Sequence, residues 1–127
     1  KRQADPVYAY FLAPLMGMIE NLEAMLASGR DSALLRFTLG SALFGNGNTR
    51  GALEHLQEAV TLDPDYSAAW KIYGKALQAA DDPGGAEQAF ITGIAAAERK
   101  GDIQAAREMK VFLKRLQRDD SKQGKPE

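Results

Sequence analysis

The chain contains no cysteine and a single histidine, His55. The first absence excludes a disulfide framework, a Cys-type zinc site and a Cys nucleophile, and one His leaves an ordinary zinc site short of ligands. An excess of one charge is missing too: 16 basic side chains balance 17 acidic ones, for a formal net charge of −1. That balance speaks against a globally basic nucleic-acid binder and against an acidic solvating tail. No apolar run approaches the roughly 18 residues of a membrane helix, so no membrane insertion is expected. There is no strand-like alternation, no P-loop and no Gly-x-Gly-x-x-Gly, which leaves no phosphate cradle and points to an all-α fold. What remains is ordinary for a small cytoplasmic protein: 127 residues, 45% hydrophobic and 26% charged, enough for one domain with a modest core.

Residues 1–16 stand apart, with Pro6, Pro14 and the aromatics Tyr8, Tyr10 and Phe11. The chain opens on Lys1, so Met16 and Met18 are candidate starts and 1–16 is a segment of open origin. Its apolar stretch, 7–13, either docks in a groove or extends the first helix through Pro14. From Met18 the apolar residues Ile19, Leu22, Met25 and Leu26 form one helical stripe, stopped at Ser28-Gly29. Asp31 or Ser32 caps a helix that runs to about Phe44. Gly45-Asn46-Gly47-Asn48 is a turn, with a new cap at Asn48 or Thr49 and a helix to about Leu62. Asp63-Pro64-Asp65 breaks the chain, as does Asp81-Asp82-Pro83-Gly84-Gly85, with a helix at about 67–80 between them. Further helices span about 85–99 and 103–118, divided by Gly101-Asp102, and the tail 119–127 lacks apolar residues and reads as disordered.

The chain is similar to itself at one period. Gly40 and Gly74 lie 34 residues apart, as do Leu39 and Tyr73, Leu43 and Leu77, Ala52 and Ala86, and Leu56 and Phe90. Small residues at 40, 74, 52 and 86 suit the close crossing of two helices, and the large residues 39, 73, 56 and 90 suit the space they leave. The run Trp70-x2-Tyr73-Gly74-x2-Leu77 followed by Ala86-x3-Phe90 resembles the tetratricopeptide (TPR) pattern, and Arg36-x2-Leu39-Gly40-x2-Leu43, Ala52-x3-Leu56, Ala59 and Pro64 resemble it again. Two departures are Arg36 in place of Trp and Glu98 in place of the closing Pro. Residues 18–118 as a whole are similar to small bacterial TPR proteins with two repeats and a charged C-terminal helix.

The resemblance implies a short right-handed superhelix of antiparallel helix pairs: a half-repeat at 17–31, repeats at 33–66 and 67–100, and a capping helix at 102–118. About three repeats are needed to bury a continuous core, so the flanking helices should supply the remainder. In the capping helix Ile103, Ala106, Met109, Leu113 and Leu116 form the apolar stripe. The resemblance also implies a concave groove lined by Leu34, Phe37, Ser41 and Phe44, then Ala68, Lys71, Lys75 and Gln78. Lys71 and Lys75 occupy two clamp-like positions of TPR domains that hold a C-terminal carboxylate, while Phe37 and Ser41 depart from that pattern. Arg107, Lys110, Lys114 and Arg118 share one face of the last helix, which makes a basic strip or a solvated face. Phe37 and Phe44 read equally as core.

Catalysis is not expected, because the turn carboxylates Asp63, Asp65, Asp81 and Asp82 are explained by turn and cap geometry and His55 reads as a surface side chain. No cofactor or metal is implied. The expected role is a protein-interaction module, monomeric or homodimeric, that takes a protein or peptide, acidic in character, in the groove. The second reading is an assembly protein that self-associates through its N-terminal apolar segment. Contact with nucleic acid is not expected, since aromatics are not interleaved with the cations.

Overall fold

The computed structural model describes the backbone of residues 6–123 and the side chains of residues 17–119. The expectations for the apolar side chains of 7–13 and for the last four residues lie outside that range. Among the described residues there are six helices and no strand: α1 (Pro6–Ala27), α2 (Ala33–Gly45), α3 (Thr49–Leu62), α4 (Ser67–Ala79), α5 (Pro83–Lys100) and α6 (Ile103–Gln123). The chain divides into two units, 1–31 and 32–127.

The first unit is α1 and its stop. The helix starts at Pro6, not at Met18, and continues through Pro14. Gly29, at φ 93°, ends it: the Gly29 N–H reaches the Leu26 carbonyl at 3.0 Å and the Arg30 N–H reaches that of Met25 at 3.2 Å. This pair of bonds satisfies carbonyls that the helix end would otherwise leave unpaired.

In the second unit one turn design recurs. Gly47 (φ 90°), Asp81 (φ 64°) and Gly101 (φ 78°) end their helices in the left-handed region. The next residue does two jobs. The N–H groups of Asn48, Asp82 and Asp102 close back on the Leu43, Leu77 and Ala97 carbonyls at 2.8–2.9 Å. Their side chains then accept from Gly51, Gly85 and Ala105 and so cap α3, α5 and α6. Ser32, rather than Asp31, caps α2 by accepting from the Leu35 N–H at 3.1 Å. Pro83 occupies the first turn of α5, where a missing N–H costs nothing, so that helix starts two residues before Gly85. It also runs on to Lys100, past Glu98, where α3 has already met Asp63-Pro64. No glycine or proline interrupts 103–123, and α6 continues five residues beyond the expected end at Arg118.

Packing follows the repeat. α2 lies on α3, α4 on α5 and α5 on α6; α3 also meets α4, and α4 touches both α2 and α6. The small residues are where the helices cross. A Cβ on Gly40 would stand 2.7 Å from Leu56 Cγ, and one on Gly74 would overlap the Phe90 ring. Leu39, Ala52, Leu56, Ala86 and Phe90 are fully buried. Gly93, 34 residues after Ala59, is a third close approach: a Cβ there would meet Trp70 Cβ at 2.5 Å and Met109 Sδ at 2.6 Å. One apolar cluster joins α5 to α6 through Phe90, Ala97, Ala106, Met109 and Leu116, and another joins α3 to α4 through Ala59, Val60 and Ala69. Trp70 packs on both and donates its indole N–H to the Pro64 carbonyl at 2.8 Å. Ile103 is not part of the buried stripe; it is 68% exposed.

Candidate functional site

α2, α4 and α6 are side by side because α4 contacts both neighbours, so their free sides share one face of the second unit. Near the C-terminal ends of α2 and α4 this face holds an open cavity of about 320 Å³, lined by Phe44, Lys75, Gln78, Ala79, Phe112 and Arg115. Phe44, Gln78 and Phe112 recur at 34-residue spacing, one from each helix. The Lys75 ammonium stands over the Phe112 ring, 5.4 Å from its centroid, within cation–π range. Phe112 is held in turn by Phe90, with ring centroids 5.7 Å apart. Among the described residues neither Lys75 nor Arg115 meets a carboxylate. The cavity therefore offers two aromatic walls, a primary amide and two uncompensated cations.

The other expected groove residues are placed differently. Lys71 is paired: its Nζ is 2.6 Å from Glu108 Oε1 on α6. Hydrogen bonds from Lys71 and then Gln104, with the Lys71 charge, hold the Glu108 carboxyl below its ordinary pKa. Phe37 packs on the Tyr66 ring at 4.9 Å and on the cluster of Ala59, Val60 and Ala69. Burial, and then the charge of Asp63, raises the pKa of that Tyr66. Ser41 encloses its hydroxyl oxygen without a hydrogen-bond partner. Leu34 is 65% exposed at the start of α2, and Ala68 is half-buried. The structure thus brings Phe44, Lys75 and Gln78 together and leaves Phe37 and Lys71 to packing and pairing.

Sequence reasoning missed Phe112, Arg115 and Glu108. Extending the 34-residue period one step past Gln78 reaches Phe112. Arg115 and Glu108 carry no such signal, because α6 lacks the Trp and Gly positions that set the register.

The basic strip is on another side of α6. Arg107 and Lys110 line one shallow cavity with Glu98, Gly101, Ile103 and Ala106, and both recur in a second with Val111, Lys114, Arg115 and Arg118. Lys110 Nζ is 3.0 Å from Glu98 Oε2. At the opposite end of the unit, Arg36 stands where the repeat pattern has Trp, with its Nη1 3.1 Å from His55 Nδ1, and His55 is half-buried rather than a free surface side chain.

A polar tie fixes the cap of α6. Ser67, 1% exposed at the start of α4, donates its hydroxyl to Asp102 Oδ2 at 2.8 Å, while Asp102 Oδ1 accepts from the Ala105 N–H. These two bonds, the Ser67 one first, lower the Asp102 pKa. Among the described residues no group of three or more His, Cys, Asp or Glu is placed to hold a metal ion, and no helix is long and apolar enough to cross a membrane.

Three comparisons bear on this architecture. The family model for the tetratricopeptide repeat matches residues 43–109. A "TPR repeat-containing protein PA0015" of Pseudomonas aeruginosa is 55% identical over 101 residues, which is 80% of this chain and 96% of that protein. Among solved structures, protein BPP2914 from Bordetella parapertussis is 50% identical with a TM-score of 0.70, covering 81% of this chain and 90% of its own. PcrH, solved in complex with the chaperone binding region of PopD, shares the fold at a TM-score of 0.79 and 16% identity, over 90% of this chain and 86% of its own.

Proposed function

The chain belongs to the tetratricopeptide repeat family, and from that premise we propose that it is an interaction module which holds a segment of a partner protein on the face shared by α2, α4 and α6. The observation that carries this reading is the cavity of Phe44, Lys75, Gln78, Phe112 and Arg115. Its chemistry selects the partner segment. The two Phe rings favour an apolar or aromatic side chain, and the two cations favour a carboxylate beside it. Lys71 contributes little attraction, because Glu108 already neutralises it. The function is recognition, not catalysis. PcrH, which has the same fold, holds a region of another protein in its crystal structure, and that supports the general role.

The reading is tested with an array of short peptides in which one apolar residue precedes Asp, Glu or the C-terminus. The tightest peptide is then titrated calorimetrically against the full chain and its variants. Lys75→Glu and Arg115→Glu should each weaken binding by roughly tenfold or more, as loss of a charge pair does, with the fold intact by circular dichroism. A peptide that binds both variants as tightly as the parent chain would overturn the site.

A further inference from the structure

The outer side of α6 carries a second feature, which shares only Arg115 with the concave cavity. The two shallow cavities there, of about 430 and 260 Å³, share Arg107 and Lys110 and so form one furrow from Gly101 to Arg118. Between Ile103 and Arg118 there are five cations and one carboxylate, in a chain of net charge −1. The carboxylate, Glu108, is bonded to Lys71 and takes no part in the furrow. Among the described residues Arg107, Lys114 and Arg118 meet no acidic group, and only Glu98 answers Lys110. Two apolar side chains, Ile103 (68% exposed) and Val111 (44% exposed), face solvent in the same furrow.

The fold itself indicates the shape that fits. α4 receives α5 on Trp70, Tyr73, Gly74 and Leu77, spaced i, i+3, i+4, i+7. On α6 the residues Arg107, Lys110, Val111 and Lys114 have the same spacing and so form one helical stripe, in which three of the four side chains are cations. A helix lying along that stripe would need acidic residues opposite the cations and a few apolar ones opposite Ile103 and Val111. The furrow spans about 15 residues of α6, or roughly 22 Å, which is the length of a four-turn helix.

We propose that the outer face of α6 docks an acidic amphipathic helix of a partner protein, seated along Ile103, Arg107, Lys110, Val111 and Lys114. Nucleic acid fits less well, because no aromatic side chain lines the furrow to stack on a base. A lipid surface fits less well, because two exposed apolar residues give too small an insertion face.

The test uses the full chain labelled with ¹⁵N and three probes. The first is a lactam-stapled helical peptide of about 15 residues with Glu on one stripe and Leu beside it. The second is a scrambled peptide of the same composition, and the third is a short DNA duplex. We expect the stapled peptide to shift the amides of 103–118 and to leave those of Phe44 and Gln78 in place. The double variant Arg107→Glu/Lys114→Glu should weaken it roughly tenfold or more, and added salt should weaken it further. Both positions are exposed, so the variant should keep its melting temperature. Lys75→Glu should leave this binding unchanged, which separates it from the concave site. Equal binding by the scrambled peptide or the duplex overturns the proposal, as do shifts confined to the concave face or no shift with peptide at about 1 mM.

Discussion

Gly74 and Phe90 show what one hydrogen atom is worth in this fold. A methyl on Gly74 would overlap the fully buried Phe90 ring, which has nowhere to move. The helix gain from Gly→Ala, about 1 kcal/mol, is smaller than the cost of overpacking a closed core, about 1–3 kcal/mol and sometimes more. Gly74→Ala should therefore destabilise the chain by up to about 2 kcal/mol net in urea titrations. Gly40→Ala meets the equally buried Leu56 at 2.7 Å and the Ala52 carbonyl oxygen at 3.3 Å, and should cost a similar amount. Asp81 is the converse case. It holds φ 64° at the position that Gly47 fills one repeat earlier. A side chain there carries left-handed strain that glycine lacks, so Asp81→Gly should raise stability by about 0.5–1 kcal/mol. An unchanged urea midpoint would show that the Asp is not strained.

The helices were legible where the sequence punctuates itself. Gly47-Asn48, Asp63-Pro64, Asp82-Pro83 and Gly101-Asp102 all mark ends that the structure keeps. Pro14 left two readings open for the stretch before it, and the structure shows the helical one, with that stretch part of α1. The capping residue Asp102 was visible as a turn, but its bond to Ser67, 35 residues away in sequence, was not. That bond makes α6 acid-sensitive. The Asp102 carboxyl is held below its ordinary pKa by Ser67 and the Ala105 N–H. A depressed carboxylate stabilises the fold above its unfolded pKa of about 4, and that contribution disappears as pH falls through the lower folded value. Stability should thus drop below about pH 4, and Asp102→Asn should flatten that part of the profile. At neutral pH Asp102→Ala should cost about 1–2 kcal/mol, from the lost cap and the buried Ser67 hydroxyl left without an acceptor. The cavity was half legible for the same kind of reason. The 34-residue period places Phe44, Lys75 and Gln78, whereas the pairing of Lys71 with Glu108 depends on how α6 is turned, which no repeat residue in α6 encodes.

At the scale of the molecule, two apolar clusters of the second unit share a side chain among the described residues. The α3–α4 cluster of Ala59, Val60 and Ala69 and the α5–α6 cluster of Phe90, Ala97, Met109 and Leu116 meet at Trp70. In a repeat array, cooperativity comes from the interfaces between neighbours, so a residue that spans two clusters couples their unfolding. Arg36 at the equivalent place in the first repeat makes a polar contact with His55 instead. Trp70→Ala should cost about 3 kcal/mol, at the low end for a large aromatic because the side chain is half-buried. Its further effect should be on the shape of the transition. The urea slope should fall, since the two clusters would no longer expose their surface in one step. Met109→Ala is the control: Met109 is fully buried within one cluster, and its loss should cost about 2–4 kcal/mol with the slope unchanged. If both variants keep the parent slope, the clusters are coupled through the α4–α5 backbone crossing at Gly74 and Gly93 rather than through the indole.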